Sequence, residues 1–560
     1  MRRATRLALA AAAVVIGAGA CSRAPAPDDV SPPAPGRPPN ILLIVADDLG
    51  FTDLGAYGSE IRTPVLDGLA RSGLVFSQFR TSPTCSPTRA SLMSGTDPHV
   101  SGLGNMFEEL APNQKGQPGY EGHLNFDVAP LPAVLKQAGY RTYMAGKWHL
   151  GRDETTSPKA RGFDRSFALI PGGSSHFKER RVMEGEGEAP FREDGALVDR
   201  LPDDFYSTRS FTDTLIGYLG ERGPDDAAPF FAYLAFSAPH FPLQAPDESI
   251  AAYRGMYDEG YEALFEARLA AVKRLGLAPS NATGDPLYHG SRPWAALTPD
   301  ERKVEARRME IFAAMVTEVD TAVGRVLDVL RGRGELERTI VVFMSDNGAE
   351  GHRLETEWTA AAETAQACCD NALENMGRPS SYVWLGPDWA RASSAPFHYF
   401  KGYPTEGGIR APFIVSYPAL ATRGHTDARA HVTDVMPTLL DLAGVPRPGP
   451  EFQGHTVAPM TGVSLRALLE GRAAGVRDPQ EVTAGELMGK RFVTEGPLKA
   501  VWMPPPHGIG DWQLFDLSSD PSEQHDLGGS RAADLARLAA RWDDYAKRHR
   551  VILPDWLSGY

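Results

Sequence analysis

Continuous apolar runs alternate with longer amphipathic segments along most of this chain. Two of the runs, Ile41–Ala46 and Ile340–Met344, contain no polar residue, which is typical of strands covered on both faces of a sheet. Other segments, such as Arg302–Arg333, repeat apolar side chains at helical spacing and predict helices that pack through one face. The alternation predicts an α/β fold in which helices flank a large, mostly parallel sheet.

Both apolar runs end in oxygen-bearing side chains. Asp47 and Asp48 follow the first run, and Asp346 and Asn347 follow the second. Either pair alone would indicate only a turn. Because parallel strands end at one edge of an open α/β sheet, where such sheets bind ligands, we expect the two pairs to lie close together. Carboxylate and amide oxygens suit Ca²⁺ or Mg²⁺ better than zinc, so the pattern predicts a site for a hard divalent cation.

Cationic and imidazole side chains lie near other predicted strand ends. In "YRTYMAGKWHLG", Lys147 and His149 are two residues apart and share one face of an extended segment. His240 follows another apolar run, and Lys401 precedes a Gly-rich turn and a further predicted strand. One such residue alone would usually be structural, but four that converge on one edge of a sheet predict a pocket for an anion.

Composition narrows the possible partners. Of the 560 residues, 42% are hydrophobic and 23% are charged, as in ordinary globular proteins, and the net charge is −14. An acidic chain lacks the basic face that binding to nucleic acid requires. Any positive charge that holds an anionic substrate must therefore be gathered locally.

The N-terminus has the pattern of an export signal. Three arginines lie within the first six residues, Leu7–Ile16 is a short apolar run, and small residues then lead to Cys21. This resembles a lipoprotein-type signal peptide over residues 1–21, with lipid attached to Cys21; a plain signal peptide is the alternative. Residues 22–39 are rich in Pro and Ala and predict a disordered tether. We expect an exported protein, in the periplasm or at the cell surface, held to the membrane only through lipidated Cys21.

Cysteine usage singles out one position. Apart from the lipidation candidate, the chain has Cys85 and the adjacent pair Cys368 and Cys369, which we expect not to form a disulfide because of its geometry. Cys85 is then either a passive buried thiol or a chemically used one. Pro87 suits the first turn of a helix, so Cys85 is predicted near a helix N-terminus, with Arg89 one turn along on the same face.

At this point a family resemblance emerges. The segment "CSPTR" at Cys85–Arg89 resembles the Cys-x-Pro-x-Arg signature of type I, formylglycine-dependent sulfatases of the alkaline phosphatase superfamily. The resemblance continues in order through "ADDLGFTDLGAYG", "GKWHLG", "FSAPHFPLQAP", "FMSDNGAEG", "EGGIRAPFIVSYP" and "WQLFDLSSDPSEQHDL". It covers nearly the whole mature chain and is strongest to bacterial arylsulfatases. One departure follows the signature, where many members have Leu-Thr-Gly-Arg and this chain has Met93-Ser94-Gly95-Thr96.

The resemblance implies an activity and a set of roles. The activity is hydrolysis of sulfate monoesters, in which an aryl sulfate and water give a phenol and sulfate. A maturation enzyme would convert Cys85 to Cα-formylglycine, whose hydrate attacks sulfur. The implied ligands of Ca²⁺, with Mg²⁺ the less favoured ion, are Asp47, Asp48, Asp346, Asn347 and residue 85 itself. The implied catalytic groups are Arg89 for the hydrate, Lys147 and Lys401 for the sulfate, His149 for the proton of the second hydroxyl and His240 for the leaving oxygen.

Two other functions remain open from the sequence. One is a phosphodiester or phosphonate monoester hydrolase that uses the same formylglycine; the sulfate reading is preferred because a singly charged sulfate ester needs only one metal beside several cations. The other is a non-catalytic, lipid-anchored binding protein in which Cys85 stays a thiol.

The resemblance also implies the domain division. Residues 40–447 would form the catalytic domain, and residues 448–560 a smaller α+β domain with an antiparallel sheet and one helix, Ala532–Arg548. The leaving-group pocket is expected from the loops Gly102–Phe126 and His352–Phe397. Five aromatic residues could line that pocket or equally be buried in the core: Tyr382, Trp384, Trp389, Phe397 and Tyr399.

If Cys21 carries lipid, Cys21→Ala should move the protein from the membrane fraction to the soluble fraction, because loss of the acyl chains removes the apolar anchor. Fractionation of the native host followed by immunoblotting measures this, and Ser22→Ala serves as the matched control. An unchanged distribution of the Cys21 variant would instead indicate a plain signal peptide.

Overall fold

A computed structural model describes residues 37–182, 187–223, 226–352 and 367–556. The predicted signal peptide, Cys21 and most of the predicted tether lie outside these residues. The described strands are β1 Asn40–Ala46, β2 Leu74–Phe76, β3 Phe79–Arg80, β4 Arg141–Lys147, β5 Arg165–Leu169, β6 Phe191–Glu193, β7 Ala196–Leu197, β8 Phe230–Ala235, β9 Thr339–Ser345, β10 Phe413–Ser416, β11 Gly424–Thr426, β12 Ala430–His431, β13 Glu451–Phe452, β14 His455–Thr456, β15 Thr483–Leu487, β16 Lys490–Glu495, β17 Leu498–Trp502 and β18 Trp512–Asp516.

Helices occupy the segments between many of these strands. They are α1 Pro64–Ser72, α2 Cys85–Ser94, α3 Leu131–Gln137, α4 Ser207–Gly220, α5 Asp247–Ala251, α6 Tyr261–Leu275, α7 Pro299–Gly332, α8 Pro387–Ser393, α9 Glu406–Ile409, α10 Val435–Ala443, α11 Arg466–Leu469 and α12 Ala532–His549. None of the described helices combines the length and the hydrophobicity that crossing a bilayer requires.

The main sheet is parallel at its centre, antiparallel pairs flank that centre on both sides, and the edge strand β11 is parallel to β2. Its ten strands in the described part of the chain follow the order β11-β2-β10-β9-β1-β8-β4-β5-β6-β7. From β9 to β5 all neighbours are parallel, and Ile41 of β1 is paired with Phe231 on one side and Ile340 on the other. β10 is antiparallel to β9, so its first residue lies at the edge where the parallel strands end. The predicted α/β architecture is confirmed, as a mixed sheet.

Burial on both faces explains the uninterrupted apolar runs. Alternate side chains of β1 enter two different cores: Leu42 packs in the core that contains Phe312 of α7, and Leu43 in the core that contains Leu92 of α2. All of β1, β8 and β9 is buried. Full burial of each large aliphatic side chain contributes about 1.5–3 kcal/mol, so these runs hold the sheet between its helical layers.

The helix predicted at Arg302–Arg333 is α7. It begins three residues earlier than predicted, at Pro299, because Thr298 caps it: the Thr298 hydroxyl accepts from the Glu301 amide, and the Glu301 carboxylate accepts from the Thr298 amide. Its buried side chains include Met309, Phe312 and Val319.

A second, smaller sheet lies towards the C-terminus. β15–β18 form a four-stranded antiparallel sheet in sequence order. Val493 and Leu514 on one face pack against Leu538 and Trp542 of α12. The opposite face, with residues such as Phe492, joins the main core. The helix predicted at Ala532–Arg548 ends one residue later; the domain boundary at residue 448 stays a prediction.

A buried ionic network joins the small sheet to helix α9 and to strand β3. Lys499 of β17 is fully buried, with Nζ 3.0 Å from Oε1 of Glu406 and 2.9 Å from Oε1 of Glu523. Glu406 also binds Arg80 and Arg410. Removing one member of such a network leaves its charged partners buried without a counter-charge. This typically lowers the free energy of unfolding by about 3–5 kcal/mol.

The structure corrects the expectation for the adjacent cysteines. Cys368 and Cys369 are joined by a disulfide, and their Cα atoms are 3.7 Å apart. That separation is set by the peptide bond between them and is shorter than in ordinary disulfides, which is why the sequence argued against pairing. Cys85 is a free, buried thiol.

A second buried polar contact, centred on His99, joins the small sheet to the segment that follows α2. Its Nδ1 lies 3.0 Å from Oδ1 of Asp97, and its Nε2 lies 3.2 Å from Oε2 of Glu486 on β15. The Tyr545 hydroxyl on α12 donates to Asp97 at 2.8 Å. Burial opposes the charged imidazolium, but the two carboxylates outweigh it and raise the pKa of His99 from 6.5 to about 9.

His99 should therefore make stability depend on pH. A raised pKa contributes stability that is fully present below pH 6.5 and is lost as the pH rises towards about 9. The free energy of unfolding should fall across this range, by roughly 3 kcal/mol from this group. Urea unfolding of the wild type and His99→Gln at both ends of the range measures the effect, with the exposed His289→Gln as control. Equal pH dependence in all three proteins would contradict the assignment.

Candidate active site

Strand ends bring the predicted site residues to one edge of the sheet. Asp47 and Asp48 follow β1, Asp346 follows β9, and Lys147 is the last residue of β4. These strands are parallel and adjacent in the middle of the sheet, so their ends lie together. Asp48 has a φ of 67°, in the left-handed region of backbone space. The neighbouring carboxylates of Asp47 and Asp48 contact different partners.

Asp47 is surrounded by the basic groups of three elements. Nζ of Lys147 lies 2.7 Å from its Oδ2, and Nη2 of Arg89 lies 3.5 Å from its Oδ1. The Cys85 thiol donates to the same Oδ1 at 3.3 Å. Burial would raise the pKa of Asp47, but Lys147, His240 and Arg89 outweigh it and hold this pKa well below its ordinary value.

Asp48 has a different set of partners. Its Oδ2 lies 2.9 Å from Nζ of Lys401 and 3.6 Å from Nε2 of His240. The side-chain amide of Asn347 donates to its Oδ1 at 2.7 Å. Burial, aided by the charge of Asp47 and opposed by Lys401, raises the pKa of Asp48 to about 7.

Arg89 connects the thiol-bearing helix to β9. Its guanidinium contacts Oδ2 of Asp346 through Nε at 2.9 Å and Nη2 at 2.8 Å, and Nη1 donates to the Lys147 carbonyl at 3.1 Å. The predicted placement of Arg89 on the same helical face as Cys85 is confirmed, because both reach Asp47. Three carboxylates thus face three permanent cations in a fully buried cluster.

Cys85 is the first residue of α2 and is 1% exposed. Burial is the main reason that the pKa of its thiol lies well above the ordinary value, and Lys147 and Lys401 only partly oppose it. The unmodified side chain is therefore a neutral thiol at pH 7 and a poor nucleophile. Its position at the N-terminus of α2, by contrast, favours an oxyanion, because the positive end of the helix lies there.

The donor set fits a hard divalent cation. In the described part of the chain, one group of potential metal-binding side chains stands out: ligand atoms of Asp47, Asp48, Cys85 and His240 all lie within 4.8 Å of one another. Beside them, Oδ1 of Asn347 is buried and has no hydrogen-bond partner, as a metal-binding amide oxygen would be before the ion binds. Carboxylate and amide oxygens of this kind favour Ca²⁺ or Mg²⁺.

Asp346, another predicted metal ligand, lies less close to these ligand atoms. Asp346 does not belong to the 4.8 Å group, although its Oδ1 accepts from the Asp48 amide at 3.2 Å. His240, predicted as a proton-transfer group, lies in it instead. The structure therefore brings all the predicted site residues to one place, with Asp346 directed mainly to Arg89.

Two histidines flank the thiol under a glycine loop. Nε2 of His149 lies 3.2 Å from Oε2 of Glu108, and Nδ1 of His240 lies 2.6 Å from the carbonyl oxygen of Phe241. A Cβ at Gly172 would lie 2.8 Å from the His149 ring, and one at Gly173 would lie 2.9 Å from the His240 ring. Only glycine permits this close packing of the loop on both rings.

The thiol opens into a cavity of about 330 Å³. Apolar groups such as Met106, Phe241 and Tyr382 form part of its wall, together with the charged side chains of Glu108 and Arg152. A volume of this size accommodates a small leaving group such as a substituted phenol.

The predicted aromatic residues divide between pocket and core. Tyr382 lines the cavity, and Trp384 lies behind it, with ring centroids 5.6 Å apart. Trp389 and Phe397 are fully buried in the main core. Tyr399 packs against Tyr403 and His507, away from the thiol.

Sequence reasoning missed two carboxylates near the site. Glu108 contacts His149, and Glu350 lies 3.1 Å from Nζ of Lys401 while its other oxygen lies 2.7 Å from Nδ1 of His352. Glu350 lies in the same segment as Asp346, "FMSDNGAEG". Its proximity to Asp346 in sequence could have indicated that it lies near the site. Glu108 lies in the short 3₁₀ turn Phe107–Glu109, within the loop Gly102–Phe126 that was expected to form the pocket, but no sequence pattern singled it out.

Comparison with known proteins defines the class. Residues 39–445 match the Sulfatase family model. An uncharacterized sulfatase of Schizosaccharomyces pombe is 42% identical over 535 residues, covering 93% of this chain and 96% of its own. An arylsulfatase of Klebsiella aerogenes is 38% identical over 435 residues, covering 77% of this chain and 92% of its own. The chain belongs to the sulfatase family and is a sulfuric ester hydrolase.

Solved structures show the same fold. Ps i-CgsB in complex with k-i-k-neocarrahexaose has a TM-score of 0.65 at 24% identity, covering 93% of this chain and 95% of its own. A protein bound to its substrate D-glucosamine-2-N,6-O-disulfate has a TM-score of 0.61 at 21% identity, covering 92% of this chain and 98% of its own. These similarities show that the chain shares its overall fold with the two solved structures.

The donor set predicts that Ca²⁺ stabilises the chelator-treated protein. An ion at 100 times its dissociation constant adds about 2.7 kcal/mol if it binds only the folded state. Asn347→Ala should lose most of this gain, because it removes the buried amide oxygen. Scanning calorimetry with and without Ca²⁺ measures the gain, with the exposed Asn281→Ala as control. Equal gains in all proteins, or none in the wild type, would contradict the site.

Proposed function

We propose that this enzyme hydrolyses aryl sulfates through the hydrate of a formylglycine at position 85, with a bound Ca²⁺. The observation that carries the proposal is the placement of residue 85 at the start of α2, within reach of Asp47 and facing Lys147 and Lys401. The 38% identity to an arylsulfatase supports an aryl leaving group. A small sulfate ester is thus the substrate class, and sugar sulfates are the nearest alternative.

The hydrate supplies the nucleophile that the thiol cannot. Hydration of the aldehyde places two hydroxyls on one carbon, and one of them attacks sulfur while the phenol leaves. Arg89, fixed by Asp346, is held beside residue 85 and stabilises the oxygen that attacks. Asp48, whose Oδ1 lies 3.8 Å from Sγ of the unmodified residue and whose pKa is raised to about 7, is placed to accept the proton of that hydroxyl.

The bound cation would polarise both the sulfate and the attacking hydroxyl. Its proposed ligands are Asp47, Asp48, Asp346, Asn347 and the oxygen of residue 85. Ca²⁺ is preferred over Mg²⁺ because mixed carboxylate and amide ligands with few waters suit the larger ion.

Lys147 and Lys401 hold the sulfate in this scheme. Each is paired with an aspartate, Lys147 with Asp47 at 2.7 Å and Lys401 with Asp48 at 2.9 Å. A divalent cation held by those aspartates would balance their charge, and the two ammonium groups would then be available to bind sulfate oxygens. Glu350 remains as the partner that keeps Lys401 in place.

His240 serves the leaving oxygen. Burial, with help from Lys401, holds the pKa of His240 well below its ordinary value, so the ring is neutral in the ligand-free protein. A bound sulfate ester adds negative charge beside Nε2 and favours the protonated ring. His240 then donates to the phenolate oxygen as it departs.

Release of sulfate restores the aldehyde. His149 accepts the proton of the second hydroxyl, the carbonyl forms again, and sulfate leaves from carbon with the bonding electron pair. No second attack on sulfur is needed, which is the chemical reason for a gem-diol rather than a simple alcohol.

The two alternatives are weaker on specific grounds. A two-metal phosphatase layout lacks support in the described residues, where one metal-binding group stands out. Comparison of kcat/KM for matched aryl sulfate, aryl phosphate diester and aryl phosphonate substrates decides between the first two activities. A binding protein without catalysis requires that Cys85 remain a thiol in its native host, which peptide mass spectrometry tests directly.

The proposal includes one macromolecular partner and one location. The partner is a formylglycine-generating enzyme that recognises the segment around Cys85 before folding, since that residue is 1% exposed in the folded protein. The location is the periplasm or the cell surface, with membrane attachment through lipidated Cys21.

The Cys85→Ser variant should complete at most one turnover and then hold a covalent sulfate on the introduced hydroxyl. That ester has no second hydroxyl whose collapse expels sulfate, while the lysines and histidines that bind the ester are intact. A phenol-release assay combined with mass spectrometry of the intact protein measures both effects. The control is mass spectrometry showing that the maturation enzyme leaves the serine unconverted. Sustained turnover by the unconverted variant would refute the gem-diol mechanism.

A further inference from the structure

Glu108 forms a bridge between a catalytic histidine and an arginine at the mouth of the cavity. Its Oε2 lies 3.2 Å from Nε2 of His149, and its Oε1 lies 2.5 Å from Nη2 of Arg152. The carboxylate is 19% exposed, whereas the guanidinium of Arg152 is 45% exposed. Glu108 therefore stands between solvent and the imidazole, with one oxygen committed to each neighbour.

The turn that carries Glu108 is fixed by local contacts. The Asn105 side-chain amide donates to the Glu109 carbonyl at 2.6 Å, and the Glu109 amide donates to the Met106 carbonyl at 3.1 Å. The Arg152 guanidinium stacks over the Phe107 ring, 4.0 Å from its centroid. These contacts hold the carboxylate in one position before any substrate binds.

The His149 ring is held as firmly as its partner. Its backbone has a φ of 54°, and the Gly172 backbone packs against Cε1 and Nε2 so closely that a Cβ there would lie 2.8 Å from the ring. The ring has no space to swing away from Glu108 on that side.

Charge on Glu108 determines which ring nitrogen carries the proton. Burial raises the pKa of Glu108, but His149 and Arg152 outweigh it and hold this pKa well below its ordinary value. An ionised carboxylate can only accept, so Nε2 of His149 must be the protonated nitrogen. Nδ1 then carries the lone pair, and it is buried without a hydrogen-bond partner among the described residues.

We propose that Glu108 is the positioning residue of His149: it keeps the proton on Nε2, so that Nδ1 is the base that releases sulfate. The proposal rests on the proposed function, because the proton comes from the second hydroxyl of the formylglycine hydrate. In that step the O–H bond breaks and its proton passes to Nδ1. The O–H electron pair forms the carbonyl, and the C–O bond breaks with its pair leaving on sulfate.

The carboxylate also stabilises the imidazolium that this step creates, as the aspartate of a Ser-His-Asp triad does. Glu108 touches neither the reacting carbon nor the sulfate in this scheme. Its effect reaches the chemistry only through His149.

Loss of the Glu108 charge has a predictable effect on pH dependence. The charged groups that face His149 are Glu108, Lys147 and Arg89, and Arg152 faces Glu108 from the other side. Burial and the two cations lower the pKa of His149, and Glu108 opposes them. Without the carboxylate charge, the acidic limb of the kcat profile should move to lower pH.

The kinetic constants should change in a characteristic combination. A slower release step leaves the sulfated enzyme to accumulate, so kcat and KM fall together. The ratio kcat/KM is unchanged, because it reports only the steps up to departure of the phenol. A residue that merely bound substrate would raise KM, and a merely structural residue would lower the amount of active enzyme without moving the pH profile.

The test is Glu108→Gln in the full-length, matured enzyme, assayed with an aryl sulfate whose phenol is coloured. We expect kcat to fall by about 10²-fold, the lower end of the usual range for general acid–base groups, with a burst of one phenol per active site. The control is Glu154→Gln, which removes an exposed carboxylate two residues from Arg152 and should behave as the wild type. In a His149→Ala background, Glu108→Gln should have no further effect.

A second variant keeps the proposal testable if Glu108→Gln folds poorly. Glu108→Ala with added formate should regain part of the lost kcat, because formate supplies a carboxylate in the vacated space, while the Glu154 control should not respond. Wild-type-like kinetics in Glu108→Gln, or a raised KM at unchanged kcat, would overturn the role of Glu108 alone. A matured wild type that hydrolyses no sulfate ester would instead overturn the proposed function, and this role with it.

Discussion

Compensation of buried charge at the carboxyl edge of the sheet is the constraint on which the rest of the site depends. Asp47, Asp48 and Asp346 lie together there only because parallel strands end together. An unpaired buried carboxylate is very costly, so each requires a cation within a few ångströms. Lys147 and Lys401 meet that requirement for the first two, at 2.7 Å and 2.9 Å.

The pairing has consequences for helix α2. Arg89 is the third cation and contacts Asp346 and Asp47. These contacts fix the position and rotation of the helix that carries Cys85. The side chain at position 85 is thereby aimed at the carboxylates rather than into the apolar core. A charge balance that stabilises the ligand-free protein thus also positions the residue that the proposed chemistry requires.

Much of this arrangement could be read from the chain. Uninterrupted apolar runs mark strands that are covered on both faces, and polar residues directly after them must emerge at a sheet edge. That reasoning placed Asp48 and Asp346 side by side although they are far apart in sequence, and in the structure the Asp48 amide donates to Asp346 at 3.2 Å. Which charged groups contact each other could not be predicted. Asp346 contacts Arg89, and His240, rather than Asp346, lies with Asp48 in the metal-binding group.

What the sequence by itself determined was the order of strands and helices, the α/β class and most of the residues that meet at one edge, because periodicity is a local property and the polar residues directly follow the apolar runs. The tertiary structure alone decided which side chains occupy the irregular loops around that edge. Glu108 reaches His149, and Cys368 bonds to Cys369, through loop conformations that no periodicity encodes. Such contacts depend on the packing of distant segments, which a one-dimensional pattern does not contain.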